Sequence, residues 1–194
     1  MFYEEYINEV QDGIQKLVIT DQSGREMTAQ EAMDLWSSKA KKVRDELKGL
    51  IFFCGNGASA TMAEHMSHDW FQNAEVNTTT CAETAHITAI SNDLSYEDVF
   101  SYRIHRILSD RDILVTISSS GNSSNIVKAL EAGREKGAYC ITFSGKGADN
   151  KSRKLGDLNF YVPLNTYGLV ESAHAVILHV ALDNFLEKYM GGKH

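Results

Sequence analysis

Short apolar runs separated by helix-length segments constrain this chain more than any other feature. Residues 50–54, 112–117, 139–143 and 158–162 each hold a compact block rich in aliphatic or aromatic side chains, and each block is followed by Gly, Ser or Pro. The intervening stretches are long enough for helices, and residues 77–81 supply one more candidate strand. That alternation predicts βαβ units around a parallel sheet, so the expected fold class is α/β. In such folds ligands gather at the carboxyl ends of the strands, and the residues just after each block are where function is sought.

Ahead of the first strand, Tyr3, Tyr6, Val10, Ile14 and Leu17 fall at steps of three and four, as do Met33, Trp36, Ala40, Val43 and Leu47. Two amphipathic helices over 3–18 and 29–48 follow from that spacing. Residues 20–25 have turn composition, and Thr28 with Glu31 three residues later reads as a capping box. A long final helix is expected over 167–190, after Pro163 closes the last strand, and residues 191–194 read as a disordered tail. Covering the sheet and packing against a second subunit both account for the two leading helices. The large apolar and aromatic side chains on their stripes favour the second, which makes residues 1–48 a helical oligomerisation segment. Residues 49–190 are then the α/β core of a single domain spanning 1–194, a length that suits one domain.

Charge narrows the partners. Twenty-six acids against 19 Lys and Arg leave a net charge of −7, which argues against a surface built to hold nucleic acid or an anionic membrane. Any bound phosphate is therefore held by local geometry. The three cysteines, Cys54, Cys81 and Cys140, match no zinc or disulfide spacing and read as reduced core thiols. The acidic N-terminus resembles no signal peptide and no run is apolar enough to span a bilayer, so a cytoplasmic location is expected.

Three constellations could carry chemistry. The segment Gly55-Asn56-Gly57-Ala58-Ser59 links a strand to a helix and suits close backbone approach to an anion, although a plain strand-to-helix turn would look the same. Residues 117–125, Ile-Ser-Ser-Ser-Gly-Asn-Ser-Ser-Asn, place five hydroxyls and two amides around one glycine between a strand and a helix, more hydrogen-bonding capacity than a turn requires. A phosphate cradle is the expectation, a Ser-rich surface loop the bland alternative. The third is metal-like. His65 and Asp69 are four apart on one helix face, and Glu171 and His179 are eight apart on the last helix. A surface ion pair and a structural histidine would also account for them.

Together these segments resemble a known family. Gly55–Ser59, Ser118–Ser123, Ala89–Asp93 followed by Tyr96–Ser101, and Ser144-Gly145-Lys146 occur in the order seen in sugar isomerase (SIS) domains, and most specifically in the phosphoheptose isomerases. The resemblance runs along essentially the whole chain. It implies a five-stranded parallel sheet flanked by helices, a flavodoxin-like three-layer arrangement, and a homotetramer with active sites at subunit interfaces. It also implies substrate contacts at Asn56, Gly57, Ser59, Asp93, Ser118, Ser119, Ser120 and Ser123. A divalent metal, zinc in the family, would be held by His65, Asp69, Glu171 and His179, with Asp69 and His179 as catalytic groups. His174 is a rival ligand on the last helix, and His86 or Glu64 could reach across an interface.

The sequence departs from the family in places. Asp69 stands where the family has Glu, Glu171 where it has Gln, Ser119 where Thr is usual, and Glu83 where it has Asp. Gly168 replaces the Asp of an Asp-x-x-Gln segment, and Phe71-Gln72-Asn73 replaces a Gly-Arg-aromatic run. The changes cluster on the sugar side and leave the phosphate side intact. The resemblance implies a phosphosugar aldose–ketose isomerase, sedoheptulose 7-phosphate being the first candidate substrate. The alternatives are a non-catalytic phosphosugar-binding or regulatory SIS protein and an isomerase of another sugar phosphate.

Overall fold

The computed structural model describes residues 1–192 and holds one mixed sheet between two helical layers. Helix α1 (Phe2–Gln15) leads into a short hairpin, β1 (Val18–Asp21) and β2 (Glu26–Met27), and then α2 (Ala29–Lys42). The α/β core follows as β3 (Ile51–Gly55), α3 (Ala58–Asn73), β4 (Thr78–Thr79), α4 (Thr84–Asp93) and α5 (Ser101–Ile107). It continues with β5 (Ile113–Ser118), α6 (Ser124–Glu135), β6 (Tyr139–Gly145), α7 (Lys151–Leu155), β7 (Leu158–Val162) and α8 (Tyr167–Tyr189).

Strand order is β2-β1-β7-β6-β5-β3-β4. The five expected parallel strands are present, and β3, β5, β6 and β7 are almost wholly buried because helices cover both faces. The sheet differs from expectation in its other edge, where β1 pairs antiparallel with β7 and β2 with β1, for seven strands among the described residues. The helical stripe read over 3–18 accordingly stops at Gln15. Val18 and Ile19 are β-branched residues that bond to the last strand, a partner more than 130 residues away. The turn expected at 20–25 is the tip of this hairpin.

Several local signals act as expected. Thr28 accepts from the Glu31 amide at 3.2 Å while the Glu31 carboxylate takes the Thr28 amide at 2.8 Å, closing the capping box. A π-helical turn, Val43–Leu47, prolongs α2 and ends at Lys48 in the left-handed region. All three cysteines are free and buried. At the carboxyl end, the amides of Met190 and Gly192 both reach the Leu186 carbonyl, so the expected tail begins as a helix cap. Lys193 and His194 of that tail lie outside the described residues.

The main core sits between the sheet and the layer of α1, α2, α3 and α8. Trp36 of α2 stacks on Trp70 of α3 with centroids 5.7 Å apart, and Trp70 meets Phe185 of α8 at 5.2 Å. The α2 stripe is thus occupied inside the chain, whereas Phe2, Tyr3 and Ile7 on α1 stay exposed. Helix α8 is long and apolar enough to cross a membrane, but 56% of its most apolar window is buried inside the fold, as befits a core helix.

Candidate active site

Registers bring the candidate loops together. Gly55 at the end of β3 lies beside Ile117 of β5, and Ser118 lies beside Ser144 of β6. The chain leaves β3 toward β4 on one side and returns to β5 on the other. The crevice at the ends of β3 and β5 is therefore the point where strand order reverses, the usual ligand position in open α/β sheets.

Glycines set the loop paths. A Cβ on Gly55 would come within 2.6 Å of the Ser59 backbone, so the first loop can fold tightly over the start of α3 only without a side chain. Gly121 has φ +62°, and a Cβ there would strike the Asn150 side chain. The second loop is tied from outside as well, since the Ser152 amide and hydroxyl donate to the Gly121 carbonyl at 3.0 and 2.9 Å.

Between these loops lies a cavity of about 170 Å³ lined by Asn56, Ser59, Ile117, Ser118, Ser119, Ser120, Ser123, Tyr167 and Glu171. The Ser118 hydroxyl accepts from the Gly121 amide and the Ser120 hydroxyl from the Asn122 amide, both at 3.2 Å. Both oxygens therefore serve as acceptors within the loop, which leaves their protons to donate outward. Ser123 occupies the N-cap of α6 without a capping bond from its side chain. The Ile126 and Val127 amides are taken by the Ser123 carbonyl, so the start of α6 offers the cradle its partial positive charge and the amides ahead of them. Such a concavity suits a phosphate.

Asn56 joins the two loops. Its amide nitrogen donates to the Asn125 oxygen at 2.9 Å, Asn125 returns the bond at 2.9 Å, and the Tyr96 hydroxyl donates to the Asn56 oxygen at 3.0 Å. Asn125 is 2% exposed, so this pair is locked in place. On the far side of Asn56 a second cavity, about 160 Å³, is lined by residues including Gly57, Glu64, Cys81 and Tyr96. Burial pushes the Cys81 thiol up to about 12, so it is not a nucleophile there. Tyr96 and Asn125 belong to two separate sequence segments, neither of which assigns them a role. The signal that could have found them is a pair of side-chain amides in loops that follow adjacent strands.

Helices α3 and α8 run away from this end of the sheet side by side. Ligand atoms of His65, Asp69 and His179 all lie within 4.8 Å of one another. His65 Nε2 is 3.2 Å from the Asp69 carboxylate, and the His65 and His179 rings meet edge to face at 5.3 Å. Two imidazoles and a carboxylate form a donor set that fits zinc and leaves room for exogenous oxygens.

Glu171 is not part of that cluster. Eight residues before His179, it faces the serine-lined cavity instead. His174, the rival ligand, is excluded: it is completely buried, with Nε2 at 3.1 Å from the Ser144 carbonyl. His86 bonds to the Val99 carbonyl at 2.9 Å. Asp93 is exposed at the end of α4, where its carboxylate accepts from Asn92 at 2.9 Å, and it does not line the serine cavity. Glu83 is held by Arg103 at 2.8 Å, which lowers its carboxyl below the usual range.

Known proteins share this plan. Residues 5–145 match the SIS domain family. The phosphoheptose isomerase of Shewanella denitrificans is 36% identical over 142 residues, which cover 69% of this chain and 72% of that protein. The Shewanella baltica (strain OS155) protein of the same name is 35% identical over a span of the same length. Among solved structures, the phosphoheptose isomerase of Neisseria gonorrhoeae aligns with a TM-score of 0.74 at 25% identity and covers 95% of each chain. That of Francisella tularensis aligns at 0.79 with 21% identity over 95% of this chain and 94% of the other, a likeness of fold. A strand-order switch flanked by two ligand loops, with a sequence match over most of the chain, puts this protein in the SIS-domain family, on its phosphoheptose isomerase branch.

Proposed function

We propose that this chain is an aldose–ketose isomerase of a sugar phosphate, with sedoheptulose 7-phosphate as the substrate. The observation that carries the reading is a hydroxyl-lined cradle walled in part by the first turns of α3 and α8, with a His-Asp-His cluster further along the same two helices. Ser118, Ser120, Ser123 and Ser59 hold the phosphate, helped by the first turn of α6. Ser119, which lines the same cavity, and Gly57 and Asn56 shape the loops around it.

Length supports a long substrate. Ser59 stands in the first turn of α3 and His65 six residues on, an axial rise of about 9 Å. An open-chain seven-carbon sugar phosphate measures about 10 Å from phosphorus to C1 at single-bond lengths near 1.5 Å, and a five-carbon one about 7 Å. A heptulose phosphate anchored at the serines therefore brings C1 and C2 near the cluster.

His65, Asp69 and His179 would hold one divalent ion, most simply zinc, which when bound supplies Lewis acidity toward the carbonyl and hydroxyl oxygens. Glu171, on the cradle wall, would face the substrate rather than the ion. Asp69 and His179 carry the proton between C1 and C2 through an enediolate, the carboxylate removing it from one carbon and the imidazole serving the oxygens. Asp69 is one methylene shorter than the family's Glu and is half-buried against His65, so its reach is short and its position fixed. Asp93, outside the serine cavity, would contact the sugar rather than the phosphate.

The site lies open in the single chain. His65 is 55% exposed, and the neighbouring Val176 and Val180 on α8 are 45% and 47% exposed. We propose that a homotetramer covers this face, with residues 1–48 among the contacts and the sites at subunit interfaces. Three free cysteines suit a reducing compartment, so the cytoplasm is the proposed location. The test is His65→Ala. Bound zinc, measured on untagged protein by elemental analysis, and turnover should both be lost. Turnover that survives loss of the ion would make the cluster structural and the mechanism wrong.

A further inference from the structure

The phosphate cradle lacks a counter-charge. Its lining contributes hydroxyls, an amide and a phenol, one carboxylate in Glu171, and no cation. A phosphate dianion placed there would meet a protein already at net charge −7 and a carboxylate on the cavity wall. Neutral donors orient the ion well, but they do not offset that repulsion.

Lys146 is placed to do so. It follows Gly145, whose amide donates to the Ser119 carbonyl at 3.1 Å, so the end of β6 is bonded directly to the serine loop. Its ammonium lies 3.1 Å from the centroid of the Tyr167 ring, and Tyr167 itself lines the cradle cavity. Its backbone is pinned, with the amide donating to the Leu164 carbonyl at 2.9 Å and the carbonyl accepting from the Tyr161 hydroxyl at 2.7 Å. Lys146 has φ +56°, one of three non-glycine residues in the left-handed region among the described residues. A lysine there costs about 1 kcal/mol relative to a residue free of that strain, so a cation is held on this lip against the local preference of the backbone.

We propose that Lys146 is the charge-bearing residue of the phosphate subsite: its ammonium leaves the Tyr167 ring and pairs with the phosphate dianion of the substrate. The cation–π contact holds the side chain beside the cavity mouth while the site is empty, so ligand binding replaces one attraction by a stronger one. The pairing rests on the sugar-phosphate reading above. It selects substrates by charge, favouring a phosphorylated sugar over a neutral one.

Calorimetric titration of the full chain with inorganic phosphate, at low and high salt, tests this. Lys146→Met removes the charge and keeps an apolar stem on the ring. Lys146→Gly removes the charge and relieves the backbone, so its melting temperature should equal or exceed that of the wild type and lost binding cannot reflect unfolding. Both should bind phosphate about tenfold or more weakly, with a flatter salt dependence, and Lys146→Arg should stay within about threefold. The double variant Ser120→Ala, Ser123→Ala should also lose about tenfold or more. If the lysine variants bind like the wild type while the serine variant is impaired, the Lys146 proposal is wrong and the cradle stands. If the wild type binds no phosphate, or the serine variant binds as well as the wild type, the cradle reading falls and Lys146 falls with it.

Discussion

Asn56 shows how a single side chain can fix two loops at once. Its amide is exchanged with that of Asn125 and capped by Tyr96, partners 69 and 40 residues away in the chain. His174 has the opposite character, a polar group enclosed by the core. It is 0% exposed, donates from Nε2 to the Ser144 carbonyl, and leaves Nδ1 without a partner among the described residues. Burial pushes its pKa down from 6.5 to about 4. The unfolded chain therefore takes up a proton near pH 6.5 that the folded chain refuses until near pH 4. Stability from this residue is full above the unfolded value and falls as pH drops through that window, by up to about 3 kcal/mol. Denaturant midpoints measured between pH 4 and 7 should show the loss in the wild type and a shallower slope in His174→Leu. Equal slopes would mean that His174 does not govern this window.

Helices α3 and α8 act as the rails of the site, and their spacing is set on the other side from the ligands. Trp70 and Phe185 meet at 5.2 Å one helical turn or so beyond His65 and His179. Truncating Phe185 to Ala should cost about 3–5 kcal/mol in stability and let the rails shift. Zinc affinity should fall with it although no ligand is touched, whereas zinc affinity equal to that of the wild type would show that the cluster is set locally. What the sequence revealed about these elements follows their range. The serine loop and the capping box are local patterns and could be read directly. The hairpin β1–β2 could not, because Leu17 continues the helical stripe and the pairing of Val18 with Tyr161 is distant in the chain. Around α8, Glu171 lies only about 80° from His179. Eight residues also mean a rise of about 12 Å along α8, which is why its carboxylate reaches the cradle rather than the cluster. Asn125 and Tyr96 stayed without roles for a related reason, since each acts across the fold.

For the molecule as a whole, the proposed assembly has only part of the N-terminal segment to draw on. Trp36 and the rest of the α2 stripe are buried within the subunit, so the surface left for assembly is the outer face of α1 with Phe2 and Tyr3, together with Val176 and Val180 beside the cluster. Light scattering at micromolar concentration should give a tetramer, and a monomer would leave the cluster on an open surface and contradict the proposed assembly. The central claim is the chemistry. Metal-replete protein incubated in deuterated water with five-, six- and seven-carbon ketose phosphates, followed by NMR, tests it most directly. Sedoheptulose 7-phosphate should interconvert with its aldose, with solvent deuterium entering at the carbon beside the carbonyl. Binding of these sugars without interconversion or deuterium uptake in any of them would contradict it and leave a phosphosugar-binding protein.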